Sequence, residues 1–379
     1  MKIAILGTRG IPNRYGGFEQ ITEYISEGLV QKGHEVTVYS PHNHSYRRNT
    51  WKNVTIRHCY DPEYILRTAG QFIYDLNCIR DARKIGFDVI IFMGYNSSSV
   101  WHNFFPKNTV IISNMDGLEW KRTKYSRPVQ WFLRHAEKLA VRYSHFHIAD
   151  SIGIQQYLQK KYGVRCTYIP YGASLQRKEK DHVLRGYGIQ AQGYFLLMAR
   201  MEPENNIDLI LEGFSYSNSQ RKFIVIGNVS NRYGKYLCRK YAKDERIAFA
   251  GAQFDQDIVH TLRKNARLYF HGHSVGGTNP SLLEAMASKA LLAAHDNEFN
   301  RHILGGDAFY FAGPADIKIL VEQEVGGPQA DQWKNNNLFK IYEHYNWPGI
   351  VDAYDEFIHA CCHREANEKI IAHRRYAFK

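Results

Sequence analysis

The chain has 379 residues, of which 44% are hydrophobic and 14% are aromatic. This length and composition predict a globular protein with a large core and, at ~150 residues per domain, two domains. The formal net charge of +12 favours an anionic partner, which can be nucleic acid, an acidic membrane surface or a phosphate-bearing ligand, and charge alone does not choose among them.

The start of the chain does not have the pattern of a membrane segment. Its one apolar run, Ile3 to Leu6, is far shorter than the ~20 residues that cross a bilayer. The six cysteines include no pair with the two-residue gap that builds zinc knuckles or redox sites. We therefore expect a reduced, cytoplasmic protein with neither a signal peptide nor a membrane span.

Predicted strands alternate with helices in the first half of the chain. Lys2 to Leu6 form a short apolar strand, and after a glycine-rich loop apolar residues recur at helical spacing from Phe18 to Leu29. Further strands are predicted at Glu35 to Tyr39, Val54 to Arg57, Val89 to Met93, Val110 to Ser113 and His145 to Ala149. This alternation predicts an α/β fold with a parallel, doubly wound sheet.

The same pattern restarts after Gly172 and the polar stretch that follows it. New strands are predicted at Tyr194 to Ala199, Lys222 to Ile226, Ile247 to Phe249 and Leu268 to His271. We therefore predict one domain at 1–180 and a second at 181–340. The helical tail at 341–379 is expected to pack across both domains.

The loop from Gly7 to Glu19 joins the first strand to the first helix and is rich in glycine. Its backbone can approach a ligand closely, and the helix start presents free N–H groups and a positive dipole to a phosphate. Its glycines do not match the three-glycine dinucleotide fingerprint. The loop is consistent with a phosphate site and also with a turn that only reverses the chain.

A second loop, His271 to Asn279, follows a predicted strand of the second domain. Pro280 suits the first turn of a helix with Asn279 or Thr278 as its cap, so the amides there are directed at an anion. Glu284 falls about one turn inside this helix, where its carboxylate can accept both hydroxyls of a ribose or serve as a buried cap. Two such loops, one per domain, predict a ligand held in a cleft between facing domains.

Several segments resemble the landmarks of glycosyltransferase family 4. They are Ile169 to Gly172, Arg200 to Asn206, Gly276 to Met286 and Tyr345 to Trp347. Within that family, Asn114 to Arg122 and Pro203 to Asn206 resemble the bacterial rhamnosyltransferase branch. The resemblance covers nearly the whole chain. It implies the GT-B fold, in which two Rossmann-like, doubly wound parallel-sheet domains face each other across a cleft, the first on the acceptor side and the second binding a nucleotide sugar.

The resemblance also implies the residues of the site. Arg200 would neutralise the donor diphosphate, and Asp116 would lie beside the reacting sugar, so both are expected to be catalytic. The implied donor-binding residues are Gly16, Gly17, Arg200, Gly276, Gly277, Thr278, Asn279 and Glu284. In this family a retaining mechanism uses the departing phosphate as its base, so the protein mainly stabilises charge on the leaving group.

The region around Asp116 has simpler interpretations as well. An Asp-Gly pair after a strand is a common turn, which would account for Asp116 without a catalytic role. Glu119, Lys121 and Arg122 follow it closely and are candidates for acceptor contacts, although charges in such loops are commonly solvated.

Two positions depart from the family pattern. Relatives commonly carry a lysine after Pro-Glu, where this chain has Asn205, and a glutamate eight positions before Glu284, where it has Gly276. The first change removes a positive charge near the phosphates, and the second removes a contact to the sugar ring. Diphosphate binding would then depend more on Arg200, with Arg9 or Arg14 as further candidates.

No metal or other cofactor is expected. Asp255 and Asp257 resemble a metal-binding pair of acids, but they directly precede a stretch with helical spacing, which favours an acidic helix start. Histidine pairs such as His271 and His273 lack third and fourth ligands nearby in the sequence.

Arg127 to Tyr143 has the pattern of an amphipathic helix with a basic face that includes Lys138 and Arg142. Such a face on the acceptor-side domain can rest on anionic lipid, or it can be an ordinary solvated surface.

The resemblance implies a retaining transferase that moves L-rhamnose from dTDP-L-rhamnose onto a lipid-linked saccharide, in bacterial cell-surface polysaccharide synthesis. Its expected location is the inner face of the plasma membrane, as a peripheral protein. The same scaffold using UDP-glucose, UDP-galactose, UDP-GlcNAc or GDP-mannose is the nearest alternative. A basic nucleic-acid-binding protein is the alternative from another class, but the chain lacks a recognition module, so we expect no nucleic-acid partner.

Overall fold

The computed structural model describes residues 1–14, 16–115, 117–122, 125–175, 178–180 and 182–363. They form two compact units. The first unit contains the described residues within 1–121, 125–171 and 347–363, and the second contains Arg122 and the described residues within 172–346.

The first unit is a single sheet with helices between its strands. Its strands are β1 (Lys2–Leu6), β2 (Glu35–Pro41), β3 (Thr50–Trp51), β4 (Val54–Cys59), β5 (Val89–Met93), β6 (Val110–Met115), β7 (Phe146–Ala149) and β8 (Thr167–Tyr168). Its helices are α1 (Gly17–Gln31), α2 (Glu63–Leu66), α3 (Thr68–Ile85), α4 (Arg127–Tyr143) and α5 (Ile152–Tyr162). The strand order is β3-β4-β2-β1-β5-β6-β7-β8, and only β3 runs antiparallel to its neighbour.

The second unit repeats this architecture with an all-parallel sheet. Its strands are β9 (Tyr194–Met198), β10 (Lys222–Ile226), β11 (Ile247–Phe249), β12 (Leu268–His271), β13 (Leu292–His295) and β14 (Phe309–Phe311). Its helices are α6 (His182–Gly186), α7 (Ile207–Ser215), α8 (Arg232–Lys240), α9 (Gln256–Asn265), α10 (Pro280–Ala287), α11 (Glu298–Leu304), α12 (Pro314–Glu322) and α13 (Pro328–His344). The strand order is β11-β10-β9-β12-β13-β14. The two parallel sheets with their helices confirm the predicted α/β class and the doubly wound design of each unit.

The predicted strands coincide closely with the observed ones, whereas four short strands, β3, β8, β13 and β14, were not predicted. β3 and β8 have two residues each, too few for a periodic pattern. β13 contains two alanines in the run Leu-Ala-Ala-His, and alanine is depleted in strands. These strands therefore depend on pairing with their neighbours more than on local preference.

The predicted helical tail contains the end of one helix and the whole of another. α13 ends at His344, and the last described helix, α14 (Trp347–Cys362), packs against α1 of the first unit. The rings of Trp347 and Tyr24 stack there with their centroids 4.0 Å apart. Residues 364–379 lie outside the described part of the chain, and packing of the tail across both domains stays a prediction.

Each sheet has a point where successive strands are added on opposite sides. In the first unit this point lies between β1 and β5, and in the second it lies between β9 and β12. Loops at the carboxyl ends of such strands diverge and leave a crevice, which is where open α/β sheets bind ligands. The loops after β1, β9 and β12 are therefore the first places to look for a site.

Candidate functional site

The loops after β9 and β12 lie directly against each other. The Asn206 side-chain amide donates to the Gly272 carbonyl oxygen at 2.8 Å. The Ser274 backbone N–H and hydroxyl both donate to the Glu204 carbonyl oxygen, at 3.1 and 2.8 Å. A Cβ added at Gly272 would lie 2.1 Å from the Asn205 carbonyl oxygen, so only glycine permits this approach. The two loops form one structure at the carboxyl edge of the second sheet.

Arg200 follows β9 and carries an exposed side chain. No carboxylate among the described residues lies within ion-pair distance of its guanidinium group. Its backbone is held by Asn205, whose side-chain amide donates to the Arg200 carbonyl oxygen at 2.7 Å. Asn205, which replaces the family lysine, is 4% exposed and serves to shape the loop that presents Arg200.

The loop after β12 ends in the start of α10. The Asn279 side chain accepts the Ser281 N–H at 2.9 Å, which makes Asn279 the helix cap, and Pro280 occupies the first turn as predicted. Thr278 is buried. Gly276 has φ +126°, a conformation that residues with a Cβ rarely adopt. This backbone conformation therefore favours glycine over glutamate at position 276.

Glu284 lies on α10 beside a buried arginine that the sequence analysis did not single out. Arg263 of α9 is 4% exposed, and its guanidinium group donates to Glu284 Oε2 at 2.8 Å and to the Ser281 hydroxyl at 3.0 Å. The arginine thereby fixes the direction of the Glu284 carboxylate. In the sequence, the signal for this contact was an arginine, Arg263, at helical spacing with the apolar residues of α9.

Two histidines behind Arg200 are held in their neutral form. The rings of His271 and His273 stack 4.4 Å apart. Desolvation, together with the nearby Arg200 and Arg122, lowers the pKa of His273 to about 3. Desolvation and the neighbouring His273 lower the pKa of His271 well below its usual value. The histidines therefore add no positive charge beside Arg200 and Arg122 at neutral pH.

Gly16 and Gly17 lie where β1 leads into α1, with Gly16 as the helix cap and Gly17 as the first helical residue. The Gly16 backbone is extended, at φ −162°, which any residue can adopt. Glu19, 5% exposed, accepts the Arg9 N–H at 2.8 Å and so closes this loop. The Arg9 side chain pairs with Glu63 at 2.6 Å, which engages it within the first unit.

Asp116 lies outside the described residues, so its catalytic role stays a prediction. The segment after it forms a short 3-10 helix, Glu119–Lys121. Glu119 is 9% exposed, and the exposed Lys121 ammonium group lies 5.6 Å from the Trp120 ring. Arg122 is grouped with the second unit, where its Nη1 lies 3.8 Å from carboxylate oxygens of Glu202 and Glu204. The structure therefore brings Arg122 to the loop of Arg200, whereas Glu119 and Lys121 belong to the first unit.

The acidic pair considered as a metal site begins a helix, as predicted. The Asp255 carboxylate accepts the N–H groups of Asp257 and Ile258 and caps α9. A different trio, His34, Asp355 and His359, places its donor atoms within 4.8 Å of one another in the first unit. His34 precedes β2, so this trio lies at the amino end of the sheet.

The helix α4 has the predicted bounds, Arg127–Tyr143, and one of its faces is buried. Arg134, Lys138 and Arg142 are exposed, and Trp131 is 69% exposed. Val129, near the start of the helix, is 40% exposed. In the described part of the chain, no helix combines the length and apolar character needed to cross a membrane.

Comparison with protein families divides the chain at nearly the same place as its two units. Residues 1–174 match the model described as "Domain of unknown function (DUF1972)", and residues 185–323 match "Glycosyl transferases group 1". The match to the glycosyltransferase model lies within the second unit. A curated Klebsiella pneumoniae protein, described as an uncharacterized 42.6 kDa protein in cps region, is 40% identical over 53 residues. That match covers 14% of this chain and 14% of the Klebsiella protein.

Solved glycosyltransferase structures share the fold over nearly the whole chain. Sucrose-phosphate synthase from Thermosynechococcus elongatus has a TM-score of 0.77 at 15% identity, covering 94% of this chain and 98% of its own. The Anabaena protein HepE, in complex with UDP-glucose, has a TM-score of 0.74 at 13% identity and covers 95% of this chain and 99% of its own. A glycosyltransferase from Rickettsia africae has a TM-score of 0.69 at 12% identity and covers 94% and 97%. These likenesses establish that the chain has the GT-B fold.

Proposed function

We propose that the chain is a retaining glycosyltransferase that takes a sugar from a nucleotide diphosphate donor. The observation that carries this proposal is the joined pair of loops at the point where β9 and β12 diverge. There the exposed Arg200, the start of α10 and the Arg263-oriented Glu284 meet at the carboxyl edge of one sheet. A nucleoside diphosphate is a ligand with an anionic group for Arg200 and the amides and a ribose for Glu284.

In this mechanism the protein stabilises the negative charge that develops as the diphosphate departs. Arg200 and the N–H groups of Gly277 and Thr278 receive that charge, and Gly16 and Gly17 offer further amides. Donors that are in place before the reaction need no reorganisation, which is why such groups contribute strongly to rate. The departing phosphate takes the acceptor proton, and Asp116 lies beside the reacting sugar.

We propose L-rhamnose, supplied as dTDP-L-rhamnose, as the transferred sugar. Gly276 supplies no carboxylate to the ring hydroxyls of an ordinary hexose, and its φ of +126° disfavours any side chain there. A carboxylate left unpaired against a 6-deoxy ring of the L series would cost ~1–3 kcal/mol, so its absence suits such a sugar. Glucose from UDP-glucose is the second candidate, because HepE was solved with UDP-glucose.

A donor panel tests the proposal. Purified protein is given dTDP-L-rhamnose, UDP-glucose, UDP-galactose, UDP-GlcNAc or GDP-mannose with an alkyl-diphosphate-linked glucose or N-acetylglucosamine, and the product anomer is identified by NMR. We expect transfer from dTDP-L-rhamnose with the anomeric configuration kept. Transfer from another donor alone overturns the choice of rhamnose, an inverted anomer overturns the mechanism, and no transfer from any donor overturns the function.

We further propose that catalysis needs no divalent metal, since Arg200 and the helix amides take the place of a cation. In the acidic pair Asp255 and Asp257, the exposed Asp255 carboxylate already forms an ion pair with Lys180 at 2.7 Å. Activity should therefore persist in excess EDTA. Loss of activity in EDTA with recovery on adding magnesium or manganese contradicts this.

The acceptor in this proposal is a lipid-linked saccharide used in bacterial cell-surface polysaccharide synthesis. The exposed basic face of α4 supports it, because such a face attracts an anionic membrane surface where lipid-linked substrates reside. The protein would then act at the cytoplasmic side of the plasma membrane as a peripheral enzyme.

A further inference from the structure

Two histidines and an aspartate meet at the amino end of the first sheet, the end opposite to the loop that leads into α1. They are His34, which directly precedes β2, and Asp355 and His359 of α14. Each offers one nitrogen or oxygen atom, and the three atoms lie within 4.8 Å of one another. In the part of the chain that the structure describes, this is the one such group of histidine, cysteine, aspartate or glutamate side chains.

The backbone places these side chains together without any ion. Asp355 and His359 are four residues apart on α14, so they lie on the same face of that helix. The helix packs closely on α1, whose end leads to His34 through a short turn. A Cβ added at Gly28 of α1 would lie 2.5 Å from Val351 Cγ1, so a glycine there permits this close approach. The three donor groups are therefore held near one another by the packing of α14.

The distances between the donor atoms are close to those around a tetrahedral metal ion. His34 Nε2 lies 2.7 Å from Asp355 Oδ1, and His359 Nε2 lies 3.6 Å from the same oxygen. Zinc bonds of ~2.0–2.1 Å at tetrahedral angles keep neighbouring ligand atoms ~3.3 Å apart. Small side-chain movements would thus bring all three atoms around one ion.

The types of ligand and their exposure favour zinc. Two imidazoles and one carboxylate suit Zn²⁺, whereas Mg²⁺ and Ca²⁺ prefer ligand sets made of oxygen alone. The side chains of His34 and Asp355 are 5% and 17% exposed, and that of His359 is 56% exposed. An ion can therefore enter beside His359, and a water molecule can complete the four ligands.

Two cations adjoin the trio without standing between its ligand atoms. Lys32 Nζ lies 3.4 Å from Asp355 Oδ2 and 2.7 Å from Asp352 Oδ1, and the Met1 amino nitrogen lies 3.4 Å from His34 Nδ1. Asp355 Oδ1 and His34 Nε2 face each other directly, and a zinc ion would replace the hydrogen they share, which leaves as a proton. Because like charges repel, Lys32 should weaken the binding of a divalent ion.

We propose that His34, Asp355 and His359 bind one zinc ion, which links α14 to the start of β2. The ion stabilises the first unit, because it cross-links segments that are distant in sequence. It has no part in the transfer reaction, since open α/β sheets bind their substrates at the carboxyl ends of the strands. Zinc binding and the proposed function therefore stand or fall separately.

Zinc titration of the full chain tests the site. The protein is treated with EDTA, desalted and titrated calorimetrically with zinc chloride, and we expect one ion per chain. His359→Ala removes an exposed side chain and should not unfold the protein, and Asp355→Asn keeps the shape of the carboxylate. Each should weaken binding about 10-fold or more, since even changes to groups that orient metal ligands cost ~10–100-fold. His302→Ala, an exposed histidine of α11, is the matched control and should bind as the wild type does.

The outcomes separate a built site from ions held loosely at the surface. Absent zinc binding, or equal affinity in the wild type, His359→Ala and Asp355→Asn, overturns the site. Lys32→Gln should bind zinc several-fold more tightly, and unchanged or weaker binding would remove the ion from Asp355. Magnesium or calcium binding as tightly as zinc overturns the role of the histidines.

Thermal unfolding tests the structural role. Zinc should raise the melting temperature of the wild type and of His302→Ala by several degrees, because an ion that binds only the folded chain stabilises it. It should leave the melting temperature of His359→Ala nearly unchanged. An equal rise in His359→Ala and the control, or no rise in the wild type, overturns the proposed cross-link.

Discussion

At the scale of single residues, one hydrogen bond links Asn205, which departs from the family pattern, to the backbone of Arg200, which we expect to be catalytic. Asn205 donates to the carbonyl oxygen of Arg200 at 2.7 Å. A lysine at this position would add an ammonium group to the loop but would lack the side-chain amide that donates this bond. With asparagine here, the loop has one fewer cation, and its amide holds the backbone of Arg200.

We predict that Arg200→Ala lowers turnover by ~10²-fold or more, because it removes a charge that stabilises the leaving diphosphate. Steady-state kinetics with the best donor of the panel measures this. Arg221→Ala is the matched control, since Arg221 precedes β10 and lies at the opposite end of the sheet. Turnover close to that of the wild type in a folded Arg200→Ala protein would place the diphosphate elsewhere.

Asn205→Ala should lower turnover by about 10-fold, since the loss of one buried hydrogen bond is of the order of 1–3 kcal/mol. The reason is indirect, because Asn205 acts through the position of Arg200. In the Arg200→Ala background the same change should then have little further effect, and a double-mutant cycle measures this coupling. Additive effects of the two substitutions would contradict the positioning role.

At the scale of elements, one buried carboxylate holds α4 to its surroundings. Glu137 of α4 is 1% exposed, and its Oε1 accepts from Tyr157, Lys161 and Tyr162 of α5 at 2.8, 2.9 and 2.6 Å. Its Oε2 accepts the Trp120 indole N–H at 3.2 Å. The segment that follows Asp116 is thereby tied to two helices through one side chain.

Removal of this carboxylate should destabilise the first unit. We predict that Glu137→Ala lowers the free energy of unfolding by ~3–5 kcal/mol, as is typical when a buried charged partner is deleted. Glu137→Gln should cost less because it retains one acceptor oxygen. Urea unfolding followed by circular dichroism gives the values, with Glu356→Ala as an exposed control. Equal stability of Glu137→Ala and the control would mean that the neighbouring helices hold α4 without it.

The exposed face of α4 leads to a separate prediction. The double change Lys138→Glu and Arg142→Glu should reduce binding to vesicles that contain phosphatidylglycerol, since ~1 kcal/mol of attraction is associated with each basic residue near an anionic surface. High salt should release the wild-type protein. The control carries Arg232→Glu and Lys243→Glu, the same charge change on exposed residues of the second unit. An equal loss in both variants would assign the effect to net charge rather than to α4.

At the scale of the whole molecule, buried titratable groups make stability depend on pH. Burial lowers the pKa of His147, in β7, from 6.5 to about 4. Between these values the unfolded chain binds a proton that the folded chain does not, so stability is lost as pH falls from 6.5 towards 4. The slope from one such group is at most ~1.4 kcal/mol per pH unit. Burial raises the pKa of Asp75 to about 7, which gives a slope of the opposite sign in the same window.

The contribution of His147 is isolated by comparing variants. His147→Leu removes the titrating group and should flatten the decline of unfolding free energy between pH 6.5 and 4. His302→Leu, at an exposed position of α11, should leave the pH profile of the wild type unchanged. Unfolding curves in urea at several pH values measure both. A His147→Leu profile parallel to that of the wild type would show that folding does not lower the pKa of His147.

Much of the architecture was predictable from local pattern. Apolar runs such as Lys2–Leu6 and Val89–Met93 are buried strands whose residues must be almost uniformly apolar, and the structure places strands at these residues. Asn279-Pro280 and Asp255 have side chains and backbone angles that favour helix starts, and both begin helices. These features depend on neighbours in sequence, which is why the sequence was sufficient.

The chain's sequence by itself determined the two α/β units, their main strands and the position of the glycine-rich loops, because each follows from periodicity and local backbone preference. The tertiary structure alone decided the contacts between distant segments. Arg263 reaches Glu284 across 21 residues, and Asp61 lines a cavity with Arg9 from a loop far along the chain. Such pairs arise because parallel strands distant in sequence end at the same sheet edge, and no local pattern records which of their loops meet there.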